Sequence, residues 1–163
     1  MSKIANEYWD SMNEFKAHCH YVHGYLIRSE RWNNRIEIYL AITSSVCIGG
    51  WAIWAEFSFL WGFLIALSQV LNAAKSYLPF SKRIKPLRNL SYAFDELFID
   101  MEDEWYCISE GDLTVREIHA KTIEFKRRIG ALWKRHIGEL TIPHNDKLLK
   151  NSTLIAKEYF LRK

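Results

Sequence analysis

The densest group of chemically capable side chains is the sequence HCHYVHG at 18–24. Histidine and cysteine are the ligands that Zn²⁺ prefers. On a helix, Cys19 and His23 would share a face at i, i+4, and His20 and His23 at i, i+3. Two ligands do not close a zinc site, and Cys19 also falls on an apolar stripe, where a buried free cysteine is ordinary. We therefore expect a surface histidine cluster with scope for pH sensing, and no metal.

A second candidate is the carboxylate run in ELFIDMEDEWY at 96–106. Paired carboxylates can act as general acid and base or can bind a metal. Glu96 and Asp100 stand at i, i+4, which is also typical of a solvated, charged helix face, and that is the expected role. The chain has no phosphate-binding loop, nucleophile elbow, zinc-protease helix or kinase signature. The sequence therefore predicts no catalytic residue, no cofactor and no enzyme.

A basic strip surrounds Trp133 in EFKRRIGALWKRH at 124–136. Such side chains can bind the phosphate of a nucleotide or an RNA, contact a partner or lie near anionic lipid, and they can equally form an ordinary exposed face. The net charge of +3 gives no reason to expect DNA binding. The candidate phosphate or partner contacts are Lys126, Arg127, Arg128, Lys134 and Arg135.

Polar residues also interrupt the apolar stretch 38–74, whose single ionisable residue is Glu56. Ala41, Ser45 and Gly49 recur at helical spacing, a small-residue row that lets another membrane helix approach closely. A second row in this stretch is polar and includes amide side chains. Amides in lipid need hydrogen-bond partners, so this polar row must face protein or water. Two roles stay open for this row, hydrogen bonding between subunits and the lining of a pore made by several subunits. Its members are Gln69, Asn72 and Ser76.

These residues require two long apolar helices, predicted at 36–54 and 59–78. Each is close to the roughly 20 residues that cross a bilayer. Tryptophans gather near the connection and tyrosines at the opposite end, as in aromatic belts, while Lys and Arg flank only the outer ends. The positive-inside rule then places both termini in the cytoplasm. The alternative is a buried hairpin in a soluble helical protein.

The flanking regions predict further helices. A 3–4–3–4 apolar spacing covers 4–28, and similar stripes begin near Lys85 and after Thr114, which has capping-box spacing with Glu117. A last helix is predicted around 145–161. The expected fold is an all-α membrane protein with an amphipathic N-terminal helix (1–35), a two-span transmembrane hairpin (36–78), and a C-terminal cytoplasmic helical hairpin plus terminal helix (79–163).

The order of these elements resembles the SLATT-type proteins, small two-transmembrane effectors of bacterial conflict systems. Three segments carry the resemblance: RSERWNNRIEIYLAITSSVCIGGWAIW, FLWGFLIALSQVLNAAKSYLPFSKR and FDELFIDMEDEWYCISEGDLTVREI. The resemblance implies an antiphage, abortive-infection effector that oligomerises and breaches the bacterial inner membrane. It implies control by a sensor protein, a retron ribonucleoprotein or a cyclic nucleotide, and it assigns no functional residue.

Two functions are therefore expected to compete. The leading one is a membrane-disrupting or pore-forming toxin that assembles as a homo-oligomer in contact with membrane lipids. The alternative is a non-toxic membrane anchor or scaffold that recruits a cytoplasmic partner complex. A holin-like lysis protein would explain the hairpin but leaves the long helical tail without a role.

Overall fold

The computed structural model describes residues 3–53, 58–74, 79–138 and 140–162, with the side chains of 44–53, 58 and 79–81 outside the description. Over these ranges the chain forms five helices and no strand, so the all-helical prediction is confirmed. The helices are α1 (Lys3–Ile53), α2 (Ser58–Ala74), α3 (Pro79–Glu110), α4 (Val115–His136) and α5 (Asp146–Leu161). The chain divides into two compact units, unit 1 (1–27 and 85–163) and unit 2 (28–84), and α1 and α3 each contribute residues to both.

Helix α1 continues through RSERWNNR, the polar segment that the sequence placed between two separate helices. The segment contains neither glycine nor proline, so nothing in its backbone chemistry stops a helix. Asn33 Nδ2 donates to Glu37 Oε1 at 3.1 Å, one turn on, which ties the polar segment to the apolar one. The prediction of a break at this point was wrong, because polarity alone does not end a helix.

The apolar stripe of α1 is buried in unit 1 along its full predicted length, from Ala5 to Leu26. Tyr8 is completely buried, and its hydroxyl donates to the Met101 carbonyl oxygen at 3.0 Å. Its ring lies parallel to that of Trp105 and meets the edge of Phe125. Tyr8 therefore joins α1 to α3 and α4, and its hydrogen bond satisfies a hydroxyl that would otherwise be costly to bury.

Helix α3 begins at Pro79 and includes Pro86, whereas the sequence predicted a restart near Lys85. Proline is well accommodated at a helix start, where the missing N–H has no intrahelical partner. Pro86 removes one donor further along, which α3 tolerates because Leu87 and Leu90, directly after it, are fully buried. The predicted α3 stripe is buried throughout, and Phe94 packs edge to face on Phe15 of α1 at 5.0 Å.

The sequence SEGD at 109–112 predicts a turn, and a turn between α3 and α4 forms there. Gly111 has φ +85°, and two backbone bonds close the end of α3, from Gly111 N to Ile108 O and from Asp112 N to Cys107 O. This is a Schellman motif, which requires a left-handed residue that glycine supplies without strain. Thr114 then caps α4 with a complete capping box to Glu117. In α4 Ile118, Thr122 and Phe125 are buried, but Val115, predicted on the stripe, is exposed in the first turn.

Helix α5 starts after the N-cap Asn145, in agreement with the helix predicted around 145–161, and it packs partly through the expected apolar residues. Of the five expected residues, Leu148, Leu149 and Tyr159 are half-buried. Ile155 and Leu161 were expected in its apolar face and are exposed, whereas Ser152 and Ala156 are buried. Small side chains let the α5 backbone approach its neighbours closely. At Gly24 of α1 a Cβ would lie 2.7 Å from the Leu148 Cδ1, so this glycine makes room for α5.

Candidate membrane-facing hairpin

Unit 2 contains the two apolar helical segments on which the sequence placed the membrane hairpin. Helix α2 has no Asp, Glu, Lys or Arg in its 17 residues. Its packed side consists of partly covered side chains at helical spacing, Trp61, Leu64, Ile65, Ser68 and Leu71. The Ser68 hydroxyl donates to the Ile65 carbonyl at 2.8 Å, so this polar group needs no partner outside its own helix.

The opposite side of α2 exposes large apolar side chains. Phe59 is 89% exposed, Phe63 58% and Val70 63%, and Leu60 and Leu67 are exposed beside them. Ile38 and Ile42 of α1 are exposed in the same unit. We call the group formed by Phe59, Leu60, Phe63, Leu67 and Val70 the apolar face. Isolated exposed apolar residues are ordinary, but a continuous charge-free row of this kind marks a surface that another apolar phase covers.

Beside the apolar face runs a flank of small residues and an amide, formed by Gly62, Ala66, Gln69 and Ala73, all of them exposed. A Cβ built on Gly62 would meet nothing within 4 Å among the described residues. Asn72 is also exposed, but it follows Ser68 by one helical turn and Ile65 by two, so it lies on the packed side of α2. Of the two predicted polar-row amides, Gln69 therefore lies on the exposed side. Ser76, the third member of that row, lies outside the described residues.

The small-residue row predicted on α1 is only partly described. Ala41 is exposed, and Ser45 and Gly49 are helical residues whose side chains lie outside the description. Thr43, two residues after Ala41, is buried, and its hydroxyl donates to the carbonyl oxygens of Tyr39 and Leu40. Those bonds satisfy the hydroxyl within α1, as threonine does in apolar helices.

Two aromatic residues of the predicted belts have their polar tips covered. The Tyr39 hydroxyl and the Trp61 Nε1 are shielded from solvent and have no hydrogen-bond partner within the described residues. Belt aromatics are expected to present these tips to the membrane–water interface. Trp54 and Tyr77, also assigned to the belts, lie outside the described residues, and the Trp51 side chain does too.

The basic strip of α4 lies in unit 1 and does not converge on a single point. All five of its predicted residues are exposed. Arg128 Nη2 pairs with Asp100 Oδ2 of α3 at 2.6 Å, while Lys126 and Lys134 border two different hollows. Arg135 lines a third hollow together with Arg128 and with Glu96 of α3. The structure therefore brings Arg128 and Arg135 together beside α3 and separates them from Lys126 and Lys134.

The carboxylate run of α3 acts mainly as a set of ties between helices. Asp100 pairs with Arg128, Glu104 accepts a 2.6 Å bond from Lys121 Nζ, and the Tyr159 hydroxyl donates to Glu102 at 2.7 Å. The hydrogen bond to Glu104 raises the pKa of Lys121. Because α4 and α5 supply the partners, spacing within α3 could not reveal these ties.

The histidine cluster splits between surface and core. His18 and His23 are exposed, whereas Cys19 is buried with its thiol 3.8 Å from the Phe94 carbonyl oxygen. Burial raises the pKa of the Cys19 thiol to about 12, which keeps it protonated and a poor metal ligand. Burial also lowers the pKa of His20. Across the described residues no group of three or more His, Cys, Asp or Glu side chains is arranged to hold a metal ion.

The sequence reasoning missed one further surface, on the outward side of α3. Tyr92, Ile99 and Tyr106 are each about two-thirds exposed and stand seven residues apart, with Asp95, Glu96 and Asp103 between them. We call these three the outer row of α3. The seven-residue spacing was visible in the sequence, but the inward stripe has a near-heptad spacing too, and only the packing distinguishes the two.

Over the part of the chain that the structure describes, none of the helices combines the length and hydropathy that crossing a bilayer requires. Residues 54–57 and 75–78, which the predicted hairpin 36–78 includes, lie outside that part. No protein-family model, no curated protein and no solved structure matches this chain.

Proposed function

We propose that this chain is a membrane-disrupting effector whose hairpin, residues 36–78, inserts into the bacterial inner membrane with both termini in the cytoplasm. Copies of the chain would assemble through their helices and breach the membrane. The observation that carries the proposal is the combination on α2 of a charge-free apolar face and an exposed flank of small and amide residues.

The apolar face gives the energetic reason for insertion. Burying a large apolar side chain stabilises by about 1.5–3 kcal/mol relative to leaving it in water. The five residues of the apolar face are 37–89% exposed, so burying what remains exposed amounts to about 4–9 kcal/mol, which is comparable to the whole free energy of unfolding of a typical domain. A lipid phase, or a neighbouring copy of the hairpin, would recover that free energy.

The small and amide flank gives the reason for assembly. A side chain such as that of Gln69 is costly in hydrocarbon unless it finds a hydrogen-bond partner. Gly62, Ala66 and Ala73 leave room for another helix to come close enough to supply one. Two helices cannot enclose an aqueous path, so a pore needs several copies, with the amides between subunits or toward the water.

Control of the assembly belongs to the proposal through the resemblance to SLATT-type effectors. A partner sensor, a ribonucleoprotein or a second messenger would hold the chain inactive until infection. The cytoplasmic helices of unit 1 would receive that signal, since they carry most of the charged surface of the chain.

Dye release from liposomes tests the proposal. Full-length protein reconstituted at increasing protein-to-lipid ratios should release an encapsulated dye with a steep dependence on that ratio, as oligomer formation requires. The double variant Gln69→Leu/Asn72→Leu should float with the liposomes as the wild type does and release much less dye. Phe63→Leu, an apolar exchange on the neighbouring face, is the matched control and should release dye normally.

Two results would count against this proposal. Wild-type protein that inserts and oligomerises without releasing dye would exclude a membrane-disrupting role. Full dye release by the Gln69→Leu/Asn72→Leu variant would be compatible with membrane insertion. It would show that the amides neither line the polar path nor form essential contacts between subunits.

The outer row of α3 supports a second candidate, a membrane anchor that recruits a cytoplasmic partner complex. Tyr92, Ile99 and Tyr106 form an exposed apolar row on an acidic background, the pattern by which a helix presents anchors to another helix. In this case the hairpin would be interchangeable. Replacing residues 36–78 by an unrelated two-span hairpin should preserve the activity of an anchor and abolish that of an effector.

A further inference from the structure

A groove in unit 1 lies between α1, α4 and the connection from α4 to α5. Its volume is about 650 Å³, which falls within the range of small-molecule sites in proteins, roughly 300–1,000 Å³. His18, Phe94, Trp133, Lys134, Ile142 and His144 are among the residues that line it. All of these belong to unit 1, so the groove does not depend on the hairpin.

The wall of the groove is an aromatic pair. Trp133 of α4 stacks on Phe94 of α3, with ring centroids 6.1 Å apart and an angle of 27° between the rings. Phe94 is buried and fixed from behind by Phe15, whereas Trp133 keeps 37% of its surface exposed. A rigid, partly open indole offers a flat surface on which a planar ring can stack at little cost in conformational entropy.

The floor of the groove is left unfilled by a glycine inside a helix. Gly130 lies in the middle of α4, where glycine destabilises a helix relative to alanine. A Cβ built on Gly130 would meet nothing within 4 Å among the described residues, so no close packing requires the small residue. What the glycine does provide is space within the groove.

The charge of the groove favours an anion. Lys134 contributes an ammonium group, and His18 and His144 add two imidazoles. His144 Nε2 lies 2.9 Å from Asp146 Oδ1. Among the described residues that line the groove there is no Asp or Glu, so within this set Lys134 meets no carboxylate.

We propose that this groove binds a small planar aromatic anion, a ring system that carries one carboxylate, sulfonate or phosphate group. The ring would stack against Trp133 over the space left by Gly130, and the anionic group would lie next to Lys134. Binding here would give the cytoplasmic helices a ligand site separate from the hairpin. All residues of this site lie in unit 1, so ligand binding here does not depend on the proposed membrane activity.

Calorimetric titration of the full-length chain in lipid nanodiscs tests the proposal, with 2-naphthoate as the anionic probe and 2-naphthamide as its uncharged match. Empty nanodiscs provide the blank. We expect saturable binding of one 2-naphthoate per chain with a dissociation constant below about 1 mM, as suits a fragment-sized ligand. Binding of 2-naphthamide should be at least tenfold weaker.

Three variants locate the site. Gly130→Leu fills the floor and should abolish binding, while its melting temperature should equal or exceed that of the wild type, because leucine favours a helix. Lys134→Gln should weaken 2-naphthoate binding about tenfold and leave 2-naphthamide binding unchanged. Arg116→Gln removes an exposed cation of the same helix that does not line the groove, and it should bind as the wild type does.

The proposal is overturned by the absence of saturable 2-naphthoate binding to the wild type. It is also overturned if a folded Gly130→Leu variant binds normally, because the ligand would then lie elsewhere. Equal affinity for the two probes would remove the anion preference on which the proposal rests.

Discussion

The exposed apolar face of α2 makes a sharp prediction about two lysine substitutions. Val70 and Phe63 are both more than half exposed, so Val70→Lys and Phe63→Lys remove little intramolecular packing. In water, substitutions at such positions change the free energy of unfolding by no more than about 0.5 kcal/mol. In a bilayer the same lysines would have to move from the headgroup region into the hydrocarbon, and the free-energy cost is much larger than in water.

The magnitude follows from the position of each residue along the helix. A lysine near the centre of a spanning helix costs about 2.5–3.5 kcal/mol, whereas the valine it replaces is mildly favourable there. Val70 lies close to the centre of the predicted span 59–78, and Phe63 lies nearer its end, where the cost is lower. The double variant should lose about 5 kcal/mol of insertion free energy, a decrease of several thousandfold in partitioning.

Flotation with liposomes in a density gradient measures this loss. The wild type should float with the vesicles, and Val70→Lys/Phe63→Lys should remain at the bottom of the gradient with an unchanged helical circular-dichroism spectrum. Leu154→Lys, the same kind of change at an exposed residue of α5, serves as the control and should float normally. If the double variant floats as completely as the wild type, the apolar face does not contact lipid and our reasoning about it is wrong.

Two further predictions concern unit 1 and can be measured by urea denaturation in detergent micelles. Thr114→Ala removes the α4 capping box and should destabilise by about 1 kcal/mol at pH 7. The bonds from Thr114 lower the pKa of Glu117, so their stabilisation is present above the pKa of this carboxyl in the unfolded chain. The difference in unfolding free energy between variant and wild type should therefore shrink as the pH falls below about 4. A difference that is constant down to pH 2 would contradict this. Tyr8→Phe removes the bond to the Met101 carbonyl and should cost about 1 kcal/mol. Burial raises the pKa of Tyr8, so the wild type should also lose stability as the pH rises above about 10, the unfolded value, and the variant should lose less; parallel curves at high pH would contradict the assignment.

The helices themselves could be predicted in large part because their signals are local. The burial of Tyr8, Phe15 and Val22 follows from a 3–4–3–4 spacing that any amphipathic helix must satisfy. The capping box at Thr114 and the left-handed turn at Gly111 likewise depend on residues a few positions apart. The prediction was weaker where a boundary depended on burial elsewhere, as at Pro86, which α3 includes because the residues beyond it are fixed in the core.

The candidate sites depended far more on the fold. The composition of α2 marked it as an apolar helix, and its spacing put Gln69 on one side of it, but only the packed side chains show that this side is exposed. The basic strip was visible as a cluster in the sequence, yet α4 directs Lys126, Lys134 and Arg135 toward three different hollows and pairs Arg128 with Asp100. Residues that are adjacent in sequence point in different directions on a helix, so a run of like charges does not define a site.

What the sequence by itself determined is the all-helical class, the buried stripes of α1 and α3, the turn at Gly111 and the charge-free segment of α2, because each of these follows from chemistry within a few residues along the chain. What only the tertiary structure decided are the relations across the chain: α5 packing on α1 beside Gly24, the carboxylates of α3 tying down α4 and α5, the exposed outer row of α3, and the groove between Trp133 and the α4–α5 connection. The physical reason is that a groove or an ion pair exists only where two helices meet, and the spacing within either helix does not contain the position of the other.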